Sequence, residues 1–416
     1  MKATILSIGD ELLIGQTLNT NVHWMSQKMN EIGIDVIHHV SLSDEKNDIV
    51  NCLNDALETS QVVLITGGLG PTSDDITKDV LCEYFGGKLV FNEDAYRNIE
   101  KIFELRKRLI NESTKRVAYL PDVCTVIPNT NGTAAGMIFS KDGKTIVSMP
   151  GVPYEMKGMV TDGVIPYLKE KYTLPYIFHC NILTAGVGET QLADRLIEFE
   201  KNKDPRIKLA YLPNIGKVRL RLTIKGDNKD ELQSLVEAAR KEVVSCIEEY
   251  IYGFDEDSLE ENIGHLLRER NLTLGTAESC TGGYLAHLIT SVAGSSDYFK
   301  GSVISYADFC MKKKKGVKQE TLEKFGAVSG ETVGEMITGA FSQLKTDIII
   351  AISGVAGPGG GTLEKPVGTV FIGIGTKEKS IIKKLSFTSH RDRNIQLSAV
   401  VALVMLRKFL LNQLND

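Results

Sequence analysis

Two glycine-rich loops, far apart in the chain, constrain its fold more than any other feature. They are Thr66-Gly67-Gly68-Leu69-Gly70-Pro71-Thr72-Ser73-Asp74-Asp75 and Thr276-Ala277-Glu278-Ser279-Cys280-Thr281-Gly282-Gly283. Each follows an apolar, β-like run (Val62 to Ile65, and Leu272 to Leu274) and precedes a helical pattern. Such a strand–loop–helix unit belongs to an α/β fold. It brings backbone N–H groups and small side chains to a helix N-terminus, where phosphate binds well. Two such loops, one in each half, predict a two-module enzyme acting on phosphorylated small molecules.

At 416 residues the chain is too long for one ordinary core, so two or three domains are expected. A formal net charge of -5 supplies no global basic field, which argues against nucleic acid as the main ligand. The one dense basic run, Lys312 to Lys315, has no interleaved aromatic residues and reads as a solvated face. Seven cysteines, without a C-x-x-C pair, form a reduced, cytosolic pattern. The N-terminal stretch turns acidic at Asp10-Glu11 before a signal-peptide core is complete, and no later apolar run is long enough for a bilayer. A cytoplasmic protein with no membrane partner is expected.

Along the first stretch, strand-like runs (Thr4 to Ile8, Val36 to Val40, Val62 to Ile65) alternate with helical spacings. One of these is Leu18, Val22, Met25, Met29 and Ile32; another is Ile49, Leu53, Ala56 and Leu57. This predicts a mostly parallel sheet with helices on both faces and ligands at the strand carboxyl ends, where Gly9-Asp10-Glu11 and the Gly67 loop fall. The module closes with a helix after Pro153, ending near Tyr172, and spans 1–172. A small α+β spacer, 174–254, follows: strand Phe178 to Leu183, helix Glu189 to Phe199, strands Leu209 to Leu212 and Val218 to Ile224, helix Asp230 to Glu249. Ser258 is placed to cap the first helix of a third, α/β module, 258–416. Its strands are expected at Ser302 to Tyr306, Ile348 to Ser353, Thr369 to Ile374 and Ile381 to Phe387, before a long helix from Asn394 to Leu414.

Asp74 and Asp75 stand directly beside the first anion-binding loop. Carboxylates repel phosphate unless a divalent cation lies between them, and hard oxygen ligands suit Mg²⁺, Mn²⁺ or a similar ion. Metal-assisted attack of water on a phosphate ester or pyrophosphate is the chemistry this suggests. A purely structural role, capping a helix that begins near Ile76, fits the same two residues. The polar turn Asn129-Thr130-Asn131-Gly132-Thr133-Ala134-Ala135-Gly136 and the rigid Met149-Pro150-Gly151-Val152-Pro153-Tyr154-Glu155-Met156 turn add donors and a helix start.

Together with Gly9-Asp10-Glu11-Leu12-Leu13-Ile14-Gly15-Gln16 and Asn19-Thr20-Asn21, these segments resemble, over roughly 1–170, the N-terminal half of the CinA (competence/damage-inducible) family. That half is similar in fold to the three-layer, molybdopterin-binding MoaB/MogA domains. The resemblance implies a metal-dependent ADP-ribose pyrophosphatase, releasing AMP and ribose 5-phosphate, with a divalent ion (Mg, Mn or Co) on Asp74 and Asp75 and potassium as a further candidate. Gly67, Gly68, Gly70, Thr72, Asn131, Gly132 and Thr133 are then the substrate-binding residues. Ala135 departs from the proline that many relatives carry, which changes turn rigidity more than chemistry.

In the third module the candidate nucleophile is Ser279, at a strand-to-helix turn. No histidine lies in a triad-like motif, so a neutral Lys or a Tyr would have to serve as base. An N-cap is the simpler role for this serine. Cys280 reads as a buried apolar residue, since no neighbouring cation would lower its pKa. Ser353-Gly354-Val355-Ala356-Gly357-Pro358-Gly359-Gly360-Gly361 follows an apolar strand and can cradle phosphate or an oxyanion.

With Phe325-Gly326-Ala327-Val328-Ser329 and Lys365-Pro366-Val367-Gly368-Thr369-Val370, these segments closely resemble the CinA C-terminal domain over roughly 258–416, whose active form deamidates nicotinamide mononucleotide. The resemblance implies Ser279 as nucleophile, assisted by Tyr306 and by a Lys five positions after that Tyr. That position is Met311. Methionine cannot accept a proton, and Lys312, one residue on, is rotated about 100° on a helix or lies on the other face of a strand. Thr281, Gly282, Gly283, Gly354, Gly357, Gly359, Gly360 and Arg391 are carried over as substrate-binding residues. A second arginine of the family, four residues after Arg391, is Ile395 here. The expectation is a homodimeric, nucleotide-hydrolysing protein whose deamidase is weak or lost. Two other classes compete with it: a non-catalytic nucleotide-binding scaffold and a molybdopterin-binding protein.

Overall fold

Alternation along the first strand sends Ala3 and Ile5 into one core and Leu6 and Ile8 into another, which forces helices onto both faces of the sheet. In the computed structural model, which describes residues 1–305 and 316–414, this strand is β1 (Lys2–Ile8). It lies between β2 (Asp35–Leu42) and β3 (Val62–Thr66), all parallel. A short two-stranded ribbon, β4 (Leu89–Phe91) with β5 (Tyr119–Pro121), stands apart from the main sheet. The remaining strands are β6 (Thr125–Ile127), β7 (Gly136–Lys141) and β8 (Lys144–Met149), giving the order β2-β1-β3-β8-β7-β6. β8 is parallel to β3, while β7 and β6 fold back antiparallel through a turn in which Asp142 and Gly143 both have positive φ.

The middle module is a sheet of β9 (Tyr176–Ala185), β10 (Lys208–Asn214), β11 (Lys217–Gly226) and β12 (Ile251–Phe254), in the order β10-β11-β9-β12. It carries the helices Glu189–Asn202 and Lys229–Ile247. Strict alternation buries Val218, Leu220 and Leu222 on one face of β11.

The C-terminal sheet runs β14-β13-β15-β16-β17, with β13 (Leu274–Glu278), β14 (Phe299–Ile304), β15 (Ile348–Gly354), β16 (Thr369–Gly375) and β17 (Ser380–Ser386). Its first three strands are mutually parallel and the last two antiparallel. The apolar β15 is buried on both faces. Ile348, Ile350 and Ile352 meet the helices Leu259–Glu269 and Arg391–Leu410, whereas Ile349 and Ala351 meet Gly330–Leu344. By contacts the chain divides into two compact units, Met1–Phe178 with Lys225–Gln233, and His179–Ile224 with Ser234–Asp416.

Some expected elements shift. The first long helix is Thr20–Glu31, capped by Asn19, which leaves Leu18 outside it and exposed rather than on the apolar face. The segment after Pro153 is helical to Lys171 but widens to a π-turn over Val160–Val164. β13 starts at Leu274, because Leu272 belongs to the turn after the Leu259–Glu269 helix. The last helix is Arg391–Leu410. Ser258 does cap its helix, accepting from the Glu261 N–H at 3.1 Å. Tyr306, Met311 and Lys312 to Lys315 lie outside the described residues.

Candidate functional site

Because β1, β3 and β8 are parallel and in register, the turns that follow them meet at one edge of the sheet. The Gly67 N–H donates to the Met149 carbonyl at 3.0 Å, and a Cβ on Gly67 would sit 2.2 Å from the Ile8 carbonyl oxygen. On Gly68 it would sit 2.1 Å from Thr77 Oγ1. No side chain fits at either position, so the loop is pressed against the sheet edge.

Beyond Gly70 the loop closes on itself. The Thr72 N–H donates to Asp75 Oδ2 at 2.9 Å, and the Thr72 hydroxyl donates to the same oxygen. Gly70, Thr72, Ser73, Asp75 and Asp79 line a cleft of about 670 Å³, whose cations are Lys78, Lys115 and Arg116. Lys78 Nζ donates to the Arg116 carbonyl at 2.9 Å. Burial pushes the Lys78 ammonium below its ordinary pKa, against the opposing pull of Asp79. The cleft therefore gathers basic side chains and carboxylates beside a glycine loop.

The acidic pair does not act as a unit. Asp75 lines the cleft, but Asp74 does not. Asp74 is fully exposed, its carboxyl held below the usual range by the Thr72 hydroxyl and its own backbone N–H. Its charge adds to those of Asp10 and Glu11 around Asp44, whose carboxyl is raised chiefly by burial. Nor do the two carboxylates cap the following helix, which begins at Thr77 with Ile76 before it and no side-chain cap.

Asn131, Gly132 and Thr133 do not line this cleft. Their turn is braced by Asn98, whose Nδ2 donates to the Asn129 and Gly132 carbonyls at 2.7 and 3.0 Å, and by Asn129, which donates to Glu155 Oε2 at 2.7 Å. A Cβ on Gly132 would lie 2.0 Å from the Glu155 carboxyl carbon, so Gly132 makes room for Glu155. Asn131 instead borders a separate recess of about 140 Å³ with Asp162.

Sequence reasoning missed Lys78, Lys115 and Arg116, and quoted Glu155 only as part of the turn after Met149. Lys78 lies on the Thr77–Tyr84 helix, and Lys115 and Arg116 lie on the distant Glu112–Arg116 helix, so only Lys78, next to the loop, was open to a sequence argument. Sequence reasoning also quoted Asn21 only within a family motif and gave it no role; the Asn21 Nδ2 donates to Gly151 O at 2.7 Å, while its buried Oδ1 has no partner among the described residues.

Among the described residues no group of three or more His, Cys, Asp and Glu is placed to hold a metal ion. Asp75, Asp79 and the Thr72 and Ser73 hydroxyls, all hard oxygen donors of the kind a divalent cation takes, line the cleft.

In the C-terminal module the Ser279 turn is built around Glu278, which is completely buried. Glu278 Oε2 accepts from the Thr281 hydroxyl at 2.7 Å and the Gly283 and Leu285 N–H groups at 3.0 and 3.1 Å, while Oε1 accepts from the Ala286 N–H at 2.9 Å. The Thr276 and Ser302 hydroxyls lie 3.3 Å from Oε1. The amides expected to face a phosphate thus hold an internal carboxylate. The following helix, Tyr284–Thr290, has Gly283 as its N-cap, so the simpler role for Ser279 is not the one observed. Ser279 is held by its N–H, which donates to Ile352 O at 3.0 Å, and is almost completely buried, as is Cys280.

The loop carrying Gly354, Gly357, Gly359 and Gly360 also follows β15, so Ser279 and the loop share one sheet edge. Arg391 Nη1 donates to the Gly357 carbonyl at 2.6 Å, and Asn394 Nδ2 donates to Ala356 O at 3.0 Å. Both residues come from the start of the final helix and tie this loop to it.

These features define a three-part α/β chain with glycine-loop sites at both ends, and family comparisons agree. A probable molybdopterin binding domain matches residues 4–170, the damage-inducible protein CinA KH domain matches 179–253, and the CinA C-terminal domain matches 256–410. A CinA-like protein of Cytophaga hutchinsonii is 44% identical over 406 residues, covering 98% of this chain and 97% of its own. A putative competence-damage inducible protein of Caldicellulosiruptor saccharolyticus is 38% identical over 413 residues, covering 99% and 100%. The chain belongs to the CinA family. A solved CinA superfamily protein from Klebsiella pneumoniae is 31% identical and covers 38% of this chain and 99% of its own, with a TM-score of 0.36. The KH-like stretch contains no G-x-x-G, the loop by which KH modules clamp a nucleic-acid backbone. No helix among the described residues is long and apolar enough to cross a membrane.

Proposed function

We propose that the N-terminal module hydrolyses the pyrophosphate of ADP-ribose to AMP and ribose 5-phosphate, with a divalent cation (Mg, Mn or Co). The observation that carries this reading is the glycine-loop cleft that brings together Lys78, Lys115, Arg116, Asp75 and Asp79. A bound divalent ion would neutralise phosphate charge and favour deprotonation of a water nucleophile. The chain's own residues position the substrate: Lys115 and Arg116 hold phosphate oxygens, beside the Gly70 to Ser73 loop that lines the same cleft. Asp75, kept in one orientation by Thr72, presents its free oxygen to the cation or to the attacking water.

Metal-dependent AMP release from ADP-ribose tests the reading. Asp75→Asn should lower turnover at least about a hundredfold, and Asp74→Asn much less, with melting curves showing both variants folded. Undiminished activity after chelation, or in folded Asp75→Asn, would overturn the metal role. Absence of ADP-ribose turnover with retained nucleotide binding would favour the scaffold class instead. A cytoplasmic homodimer, with potassium as a further ion, completes this reading; light scattering of the full chain tests the dimer.

For the C-terminal module the proposal is a nicotinamide mononucleotide pocket at Ser279 and the Gly354 to Gly361 loop, with deamidation slow or absent because Met311 replaces a base.

A further inference from the structure

A second cleft of about 660 Å³ adjoins the first; Phe91, Tyr96 and Tyr119 form its aromatic part, beside Lys115, Glu100 and the ion-paired Glu93 and Arg97. The ribbon explains their meeting. Phe91 and Tyr119 are directly paired across β4 and β5, so they share a face, and their ring centroids lie 5.4 Å apart. Tyr96, in the first turns of the Glu93–Leu105 helix, packs its ring 5.2 Å from that of Phe91. Rings tilted at 66° and 51° brace one another and leave ring surface uncovered. Phe91 remains 40% exposed and Tyr119 37%, unusual for residues that could have packed inward.

Lys115 and Tyr119 line both clefts, so the aromatic platform and the phosphate-holding cleft are continuous. Leu89, two residues before Phe91 and on the same ribbon face, lines the first. An aromatic surface beside clustered cations matches a ligand with a flat π-system joined to phosphate.

We propose that the Phe91–Tyr96–Tyr119 cleft is the base subsite of a nucleotide whose phosphates lie against Lys115 and Arg116. The proposal rests on reading the first cleft as a phosphate site. It assigns substrate choice to the ribbon and chemistry to the glycine loop.

The test is calorimetric titration of the full chain with AMP and with ribose 5-phosphate, comparing wild type with Phe91→Leu, which keeps apolar bulk but no π-face, and with Phe91→Tyr. Loss of one stacking surface should weaken AMP about tenfold or more. Ribose 5-phosphate binding should be unchanged, and Phe91→Tyr should restore AMP binding. The difference between variant and wild type isolates this site from any C-terminal one. Equal AMP affinity in wild type and folded Phe91→Leu, or equal weakening of both ligands, would overturn the subsite. The two readings fail separately. Wild type that binds AMP through Phe91 but does not cleave ADP-ribose loses the pyrophosphatase and keeps the subsite. Wild type that cleaves ADP-ribose with a KM indifferent to Phe91→Leu keeps the enzyme and loses the subsite.

Discussion

Glu278 shows how one carboxylate can take over a site that glycine spacing assigns to a ligand. It is completely buried and accepts from three backbone N–H groups and the Thr281 hydroxyl, so the turn carrying Ser279 is organised by an internal anion. Glu278→Gln places an amide N–H₂ against those donors. The variant should lose about 3 kcal/mol, read as a lower denaturant midpoint of the unit that contains it. An unchanged midpoint would mean that the turn is held by the sheet alone. Asp347 is a milder case with a pH signature. Its Oδ2 accepts from the Thr273 hydroxyl at 2.6 Å and the Thr273 N–H at 2.8 Å, and these bonds, the hydroxyl first, hold its carboxyl below the usual range. A folded pKa below the unfolded one contributes stability above the unfolded value, lost as pH falls through the folded value. The melting gap between wild type and Asp347→Asn should therefore be open at pH 7 and close as the pH falls below the ordinary carboxylate range. A gap constant with pH would remove the assignment.

Strand–loop junctions place the chemistry in both modules, and their glycines are not equivalent. Gly67 has φ +117 and faces the Ile8 carbonyl oxygen, whereas Gly143 has φ +76 in an open hairpin, with nothing within 4 Å of the position a methyl would take. Gly143→Ala should cost about 1 kcal/mol, the strain of a left-handed backbone alone. Gly67→Ala must also push β1 and β3 apart, and should cost several times more while abolishing AMP release. Similar melting temperatures for the two would show that the loop is not pressed against the sheet. The same junctions explain what could be read early. Val62 to Ile65 followed by glycines is a strand and a turn in any context. The ribbon of β4 and β5 was not legible, because three-residue strands carry no periodicity and their partners lie outside the local sequence.

Glycine loops at both ends of one chain allow the two proposed activities to be tested separately by substitution. Met311→Lys should raise ammonia release from nicotinamide mononucleotide, by about 10²-fold or more if a base is the missing part, and the gain should vanish in Met311→Lys/Ser279→Ala. AMP release from ADP-ribose should not change. Wild-type deamidation abolished by Lys312→Ala would show that the neighbouring lysine serves; robust activity indifferent to Lys312 would refute the base assignment.

Local pattern determined the α/β class, the positions of most strands and helices, the Ser258 cap and the two glycine loops, because each depends on neighbours a few residues away. The CinA resemblance was likewise legible, carried by separated motifs in one order. Tertiary structure alone decided which members of those motifs meet. It separated Asp74 from Asp75, moved Asn131 to Thr133 out of the main cleft, and brought Lys78, Lys115, Arg116 and the ribbon aromatics to one place. It also set Glu278 against the Gly283, Leu285 and Ala286 amides at the start of the helix after the second loop. Periodicity reports which face of an element is apolar, but a binding site is a meeting of several elements. Their convergence is set by strand order and register, which long-range packing selects.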